Sequence, residues 1–239
     1  MIRTLIMLFI IPLCLNAQQN KLIKYPEDSS IELLYVGDYK KGEFDTTLLN
    51  REWWGLYEKN NISYLRKVEL RLDKIEPDIQ YDWEYSISVD DSKNCIILFA
   101  GLELVERDID HYTDNDMIRY NTDFTFEFGP YHTYLSSKLE STESIGEVER
   151  RDYSVHLNYQ SNNILATQEL FVFPCYDSQL LISLVWAGDL DDDGKTDFVI
   201  QLPTPPHNEM GDSTGLFLSS KSDPKELVRL VAYLISTGC

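Results

Sequence analysis

Asp189, Asp191, Asp193, Lys195 and Asp197 fall at positions 1, 3, 5, 7 and 9 of one short stretch, GDLDDDGKTDFV over 188–199. Like charges crowded into a turn repel, so these carboxylates either point into solvent or converge on a cation. Calcium takes six to eight oxygen ligands from carboxylates, backbone carbonyls and water. Alternate residues of a tight loop can turn their oxygens inward, with Lys195 contributing its backbone carbonyl. Gly194 supplies the sharp turn, where a side chain would clash. Asp192 is out of register and is expected to face solvent. The stretch therefore predicts a Ca2+ site, with a structural role favoured over a catalytic one; a vacant polar turn is the alternative.

The twelfth position is Ile200, where an EF-hand carries a bidentate glutamate, and the flanks LLISLVWA and DFVIQL read as strands. The loop is thus expected to cap a β-hairpin over 186–200. Gly188, Asp189, Leu190, Asp191, Asp193, Gly194, Asp197 and Phe198 resemble the calcium hairpin of FG-GAP and VCBS-type repeats, whose signature is close to G-D-L/F-D-x-D-G-x-x-D-L/F/V. The resemblance is confined to this hairpin. Those families repeat the motif in propeller blades and this chain has it once, so the resemblance implies the local metal site and no propeller.

Other reactive side chains are less organised. The segment PTPPHNEMGDSTG (203–215) is a proline-rich loop carrying His207, Glu209 and Asp212, weak candidates for proton transfer or ligand binding. His156 lies on the polar face of YSVHLNY, His132 follows a turn, and His111 sits in the acidic run DIDHYTDND, read as a solvated face. The chain has no G-x-S-x-G, no H-E-x-x-H, no phosphate loop and no dinucleotide fingerprint. Trp53 and Trp54, if extended, point to opposite faces; such pairs more often bury one ring and half-bury the other, and the alternative is an exposed ring that stacks on a sugar or anchors a partner. Trp186 is expected in the core beneath the metal loop.

These residues must be positioned by strands. YLRKVELRL (64–72), WEYSISV (83–89), DFTFEFG (123–129), YSVHLNY (153–159) and ATQELFVF (166–173) alternate apolar and polar residues, as half-buried antiparallel strands do. CIILFAGL (95–102) and QLLISLVWAG (179–188) are continuous apolar runs, as in strands buried on both faces, and VDDSKN (89–94) reads as a hairpin turn. The segment 223–236 predicts a helix: Asp223 as N-cap, Pro224 in the first turn, Glu226 completing a capping box, and an apolar stripe at Leu227, Leu230, Val231 and Leu234. A second helix could lie near 48–60. The expected fold is mainly β or α+β, a sandwich-like antiparallel single domain over 18–239 with the C-terminal helix packed on the sheet.

The first seventeen residues read as a secretory signal peptide: Arg3, an apolar run from Leu5 to Leu15, and cleavage after Ala17. The run is shorter than the roughly 20 residues needed to span a bilayer. Leu13 before Cys14 argues against a lipid anchor, which wants a small residue there. An exported chain, periplasmic or extracellular, follows. With 21 basic and 40 acidic residues and a net charge of −19, the chain repels nucleic acid and anionic membranes. Cys95 is expected as a core thiol, while Cys175 and Cys239 could pair in an oxidising compartment. The functional expectation is a calcium-stabilised binding module for a protein or glycan ligand, as monomer or oligomer. The alternative is a secreted hydrolase of glycan or ester substrates working through carboxylates or His207.

Overall fold

The structure is a computed structural model describing residues 26, 30–76, 82–112, 117–118, 123–128, 131–145, 148–161, 164–175, 182–202 and 212–236. The first part of the chain forms β1 (Glu32–Leu34), β2 (Gly37–Lys40), β3 (Trp53–Lys59), β4 (Ile62–Val68), β5 (Arg71–Lys74), β6 (Trp83–Ser88), β7 (Cys95–Ala100) and β8 (Arg107–Ile109). The rest forms β9 (His111–Tyr112), β10 (Met117–Ile118), β11 (Asp123–Phe128), β12 (Tyr131–Ile145), β13 (Val148–Ser161), β14 (Ile164–Cys175), β15 (Ile182–Gly188), β16 (Asp197–Leu202), β17 (Asp212–Leu218) and β18 (Arg229–Ser236).

These strands make four antiparallel sheets, and the hydrophobic clusters show how they stack. An outer sheet β2-β6-β5 and an inner sheet β1-β7-β3-β4-β8 enclose a core that includes Tyr39, Trp53, Ile87 and Leu98. A second inner sheet runs β10-β15-β16-β17-β18, with β9 also on β15. Between the two inner sheets lie Trp54, Leu56, Phe99, Trp186, Val199 and Leu216. The outer sheet β11-β12-β13-β14 covers the other face of the second inner sheet over Leu135, Leu157, Phe171, Phe198 and Ile200.

The period of two along a strand explains the layering. In β7, Ile97 and Phe99 enter the core between the inner sheets, while Leu98 and Ala100 enter the core on the other side. In β16, Phe198, Ile200 and Leu202 face one core and Val199 the other. The continuous apolar runs are therefore the central strands, as their composition predicts. Trp53 and Trp54 do point to opposite faces, but both faces are covered, leaving the side chains 1% and 6% exposed. Both rings are thus more deeply buried than the one-buried, one-half-buried arrangement, and the alternative of an exposed sugar-stacking tryptophan is overturned.

Three local expectations are also corrected. In place of a helix near 48–60 there is a short 3₁₀ turn, Thr46–Asn50, capped by Asp45, followed directly by β3. Residues 89–94 do not close a hairpin: β6 and β7 lie in different sheets, so this turn carries the chain from an outer layer to an inner one.

The largest correction is at 223–236, where β18 replaces the helix. Half of the capping box forms, with Asp223 N donating to Glu226 Oε2 at 3.1 Å, while Glu226 N closes the turn on the backbone carbonyl of Asp223 at 2.8 Å and the Asp223 carboxylate pairs with Arg229 instead. The turn propagates no further because Gln168 of β14 takes the backbone groups a second turn would use. Its Oε1 accepts from Leu227 N and Val228 N, and its Nε2 donates to Val228 O at 2.7 Å. A segment this short is marginal as a helix on its own, whereas as a strand it pairs with β17 from Leu218↔Arg229 to Asp212↔Ser236. It also places Val228 in one core and Val231 and Ala232 in another, which a single helical stripe could not do. Among the described residues no helix is long and apolar enough to cross a membrane.

Candidate metal centre

β15 ends at Gly188 and β16 begins at Asp197, and these two residues are register partners, so the aspartate loop caps a hairpin as its flanks predict. Gly188 is required by packing: a Cβ there would lie 2.5 Å from the ring of Trp186, which is fully buried. Gly194 turns the loop with φ +79°, in the left-handed region open to glycine. Asp192 also has positive φ, 65°, a conformation aspartate tolerates better than most residues.

The loop brings together Asp189, Asp191 and Asp197, one carboxylate oxygen from each lying within 4.8 Å of the others. Asp197 is fully buried. Its Oδ2 accepts from Leu190 N at 2.8 Å, and its Oδ1 accepts from Ser219 N at 2.8 Å and Ser219 Oγ at 3.0 Å. Asp189 turns the chain with both oxygens, accepting from Asp193 N at 3.1 Å and Gly194 N at 2.9 Å. Asp193 stands beside this trio and braces the loop. It accepts from Lys195 N at 2.9 Å and Ser219 Oγ at 2.9 Å, with Lys195 Nζ 3.9 Å away. Asp191 Oδ2 accepts from Ser220 Oγ, but Asp191 Oδ1 is shielded from solvent and has no hydrogen-bond partner.

The electrostatics are unfavourable for three anions left to themselves. Burial pushes the Asp197 carboxyl well above the ordinary carboxylate range, and the charge of Asp191 adds to the shift against the hydrogen bonds from Ser219 and Leu190. Burial likewise raises Asp191, helped by Asp193 and Asp189 and opposed by the Ser220 hydroxyl. Both shifts are upward, so without a cation these groups favour the fold at low pH and oppose it as pH rises through their raised values. A cation reverses that sign by compensating the charge. The donor set is all oxygen, which suits calcium or magnesium over softer metals. Asp191 Oδ1 keeps both its lone pairs and Asp197 Oδ2 keeps one beyond its bond from Leu190 N, whereas Asp197 Oδ1 already accepts two hydrogen bonds.

The sequence did not reveal Ser219, Ser220 or Arg107. The serines arrive because β17 runs antiparallel to β16, with Phe198↔Phe217 in register, so the residues after β17 reach the start of β16. The polar pair after GLFL is the only hint, and it becomes legible once that register is known. Arg107 crosses from β8: its Nη2 donates to Asp189 O at 2.6 Å and its Nη1 lies 3.3 Å from Asp192 Oδ1. Asp192 is exposed as expected, although paired with this guanidinium.

Trp186 is fully buried beneath the loop, as expected, and donates from Nε1 to Ser63 Oγ at 3.0 Å. His207 and Glu209 lie outside the described residues, and Asp212 opens β17 opposite Ser236. His111 Nδ1 accepts from Ser63 N at 3.2 Å, and His156 Nε2 is 3.0 Å from Ser154 Oγ. Asp108 of the acidic run pairs with Arg66 at 3.4 Å, while Asp114 and Asp116 lie outside the described residues. Cys95 is a half-buried free thiol, its pKa pushed up to about 12 by burial. Cys239 lies outside the described residues. Comparison of the chain with family models, with curated proteins and with solved structures finds no match.

Proposed function

We propose that the protein is an exported, calcium-binding β-rich module, its ion serving to hold the β15–β16 hairpin and its functional surface serving to bind a protein or glycan at a bacterial envelope or outside the cell. The observation that carries the metal reading is Asp191 Oδ1, a carboxylate oxygen withdrawn from solvent with no donor to satisfy it. A buried polar atom of this kind costs free energy unless something compensates it. Asp189 and Asp197 each hold an oxygen within 4.8 Å of an oxygen of the same Asp191 carboxylate, and one divalent cation would engage all three groups. Lys195 would add its carbonyl and water the remaining positions, and Asp193 would order the loop from its flank. The apparent leader and the acidic composition support export to a calcium-rich compartment. With Trp53 and Trp54 buried, ligand recognition falls to other surfaces.

Isothermal titration of residues 18–239 tests this directly. One calcium per chain, with magnesium binding more weakly, is the expected result. No calcium heat at millimolar concentration would overturn it.

A further inference from the structure

The aspartate loop touches both inner sheets. It grows out of β15 and β16 on one side; on the other it is held by Arg107 at the start of β8, on the edge of the first inner sheet. Arg107 Nη2 donates to the Asp189 carbonyl at 2.6 Å and lies 3.8 Å from Asp189 Oδ1, while Nη1 lies 3.3 Å from Asp192 Oδ1. Between these anchor points Leu190 is fully buried in the core that the two inner sheets share. Two further bonds run along the same seam: Trp186 Nε1 to Ser63 Oγ at 3.0 Å, and Ser63 N to His111 Nδ1 at 3.2 Å. Arg66 braces the edge from behind, its Nη1 donating to Leu65 O at 2.7 Å and Arg107 O at 3.4 Å.

We propose that the loop is a metal-dependent clasp between the two inner sheets and that Arg107 is its positioning residue, an inference that rests on the metal reading above. A guanidinium beside a cation site would ordinarily oppose metal binding by repulsion. Here its hydrogen bond goes to the backbone carbonyl of Asp189 and its closer ion pair to the exposed Asp192, while its ion pair to Asp189 Oδ1 is longer, at 3.8 Å, and beyond hydrogen-bond distance. The planar fork spans carbonyl and carboxylate together, which a lysine ammonium, a point donor on a flexible stem, cannot do. A cation that draws Asp189 toward Asp191 and Asp197 fixes the backbone where Arg107 docks, so ion binding and sheet docking strengthen each other. Such coupling is reciprocal: whatever factor the ion adds to docking, docking adds to ion affinity.

The test pairs calcium titration calorimetry with amide hydrogen exchange on residues 18–239, in the wild type, R107K and R107A. Calcium is expected to slow exchange in β4 and β8, which supply no metal ligand, by about tenfold. R107K keeps the charge and loses the fork; it is expected to weaken calcium binding by a similar factor and to lose the remote slowing. R107A should behave likewise, and if it fails to fold R107K decides alone. Slowing confined to 188–200, or wild-type calcium affinity in R107K, would overturn the clasp while leaving the metal site standing. A wild-type chain that binds no calcium would overturn both, and is told apart by its absent heat.

Discussion

Asp197 and Asp191 carry the same carboxylate but play opposite parts in the loop, the first hydrogen-bonded at both oxygens and the second left with one oxygen unpartnered. Asp197 is a structural acceptor as well as a prospective ligand, because Leu190 N, Ser219 N and Ser219 Oγ all point at it. Asp197→Asn would set an amide N–H against one of those donors, and a buried donor left without an acceptor costs about 1–3 kcal/mol. Urea unfolding in EGTA is expected to show that loss; wild-type stability would contradict the role. Cys95 carries a separate expectation. Its thiol is pushed up to about 12, so it favours the folded state at and below its unfolded pKa of about 8.5, and that contribution fades as pH rises toward 12. At pH 8 the folded protein, with Cys175 and Cys239 replaced by serine, is expected to resist iodoacetamide and to react once unfolded. Prompt labelling of the folded chain would show the thiol to be open.

β3 is a strand covered on both faces. Trp53 and Trp54 alternate as a strand must, but its neighbours β4 and β7 belong to an inner sheet with a core on each face. Trp54→Ala would empty a large site, a loss of about 3–5 kcal/mol for a buried aromatic. The expected phenotype is a lowered denaturation midpoint, and unchanged stability would restore the exposed-tryptophan reading. Most strands were legible because period-two alternation is local, and the aspartate hairpin was legible because its spacing is local. The segment 223–236 was not. Its first turn and half of its capping box form, yet the decision for strand is made by Gln168, far away in sequence, and by the open edge of β17. Ser219, Ser220 and Arg107 escaped for the same reason: each reaches the loop through sheet pairing that no short window records. The VDDSKN turn looked like a hairpin because turn chemistry does not say which sheet the next strand joins.

At the scale of the fold, four sheets share three cores among the described residues, and the aspartate loop sits where the two inner sheets meet. A chain with net charge −19 gathers three carboxylates at that seam, a concentration of charge that protonation or a bound cation would relieve. One calcium bound with Kd near 10 μM in about 1 mM calcium would add about 2.7 kcal/mol of stability. For a chain of this length that is a rise in melting temperature of roughly 5–10 °C. The sharpest variant is Asp191→Asn, which keeps an acceptor for Ser220 and removes the unsatisfied charge. The most direct measurement is thermal unfolding of residues 18–239 and of Asp191→Asn, each in millimolar calcium and in EGTA. The wild type is expected to gain several degrees from calcium. The variant is expected to gain nothing, and in EGTA to melt at or above the wild type, because it no longer carries the Asp191 charge among its neighbours. Superimposable wild-type melts with and without calcium would contradict the metal site, and a full calcium response in Asp191→Asn would contradict the part assigned to its oxygen.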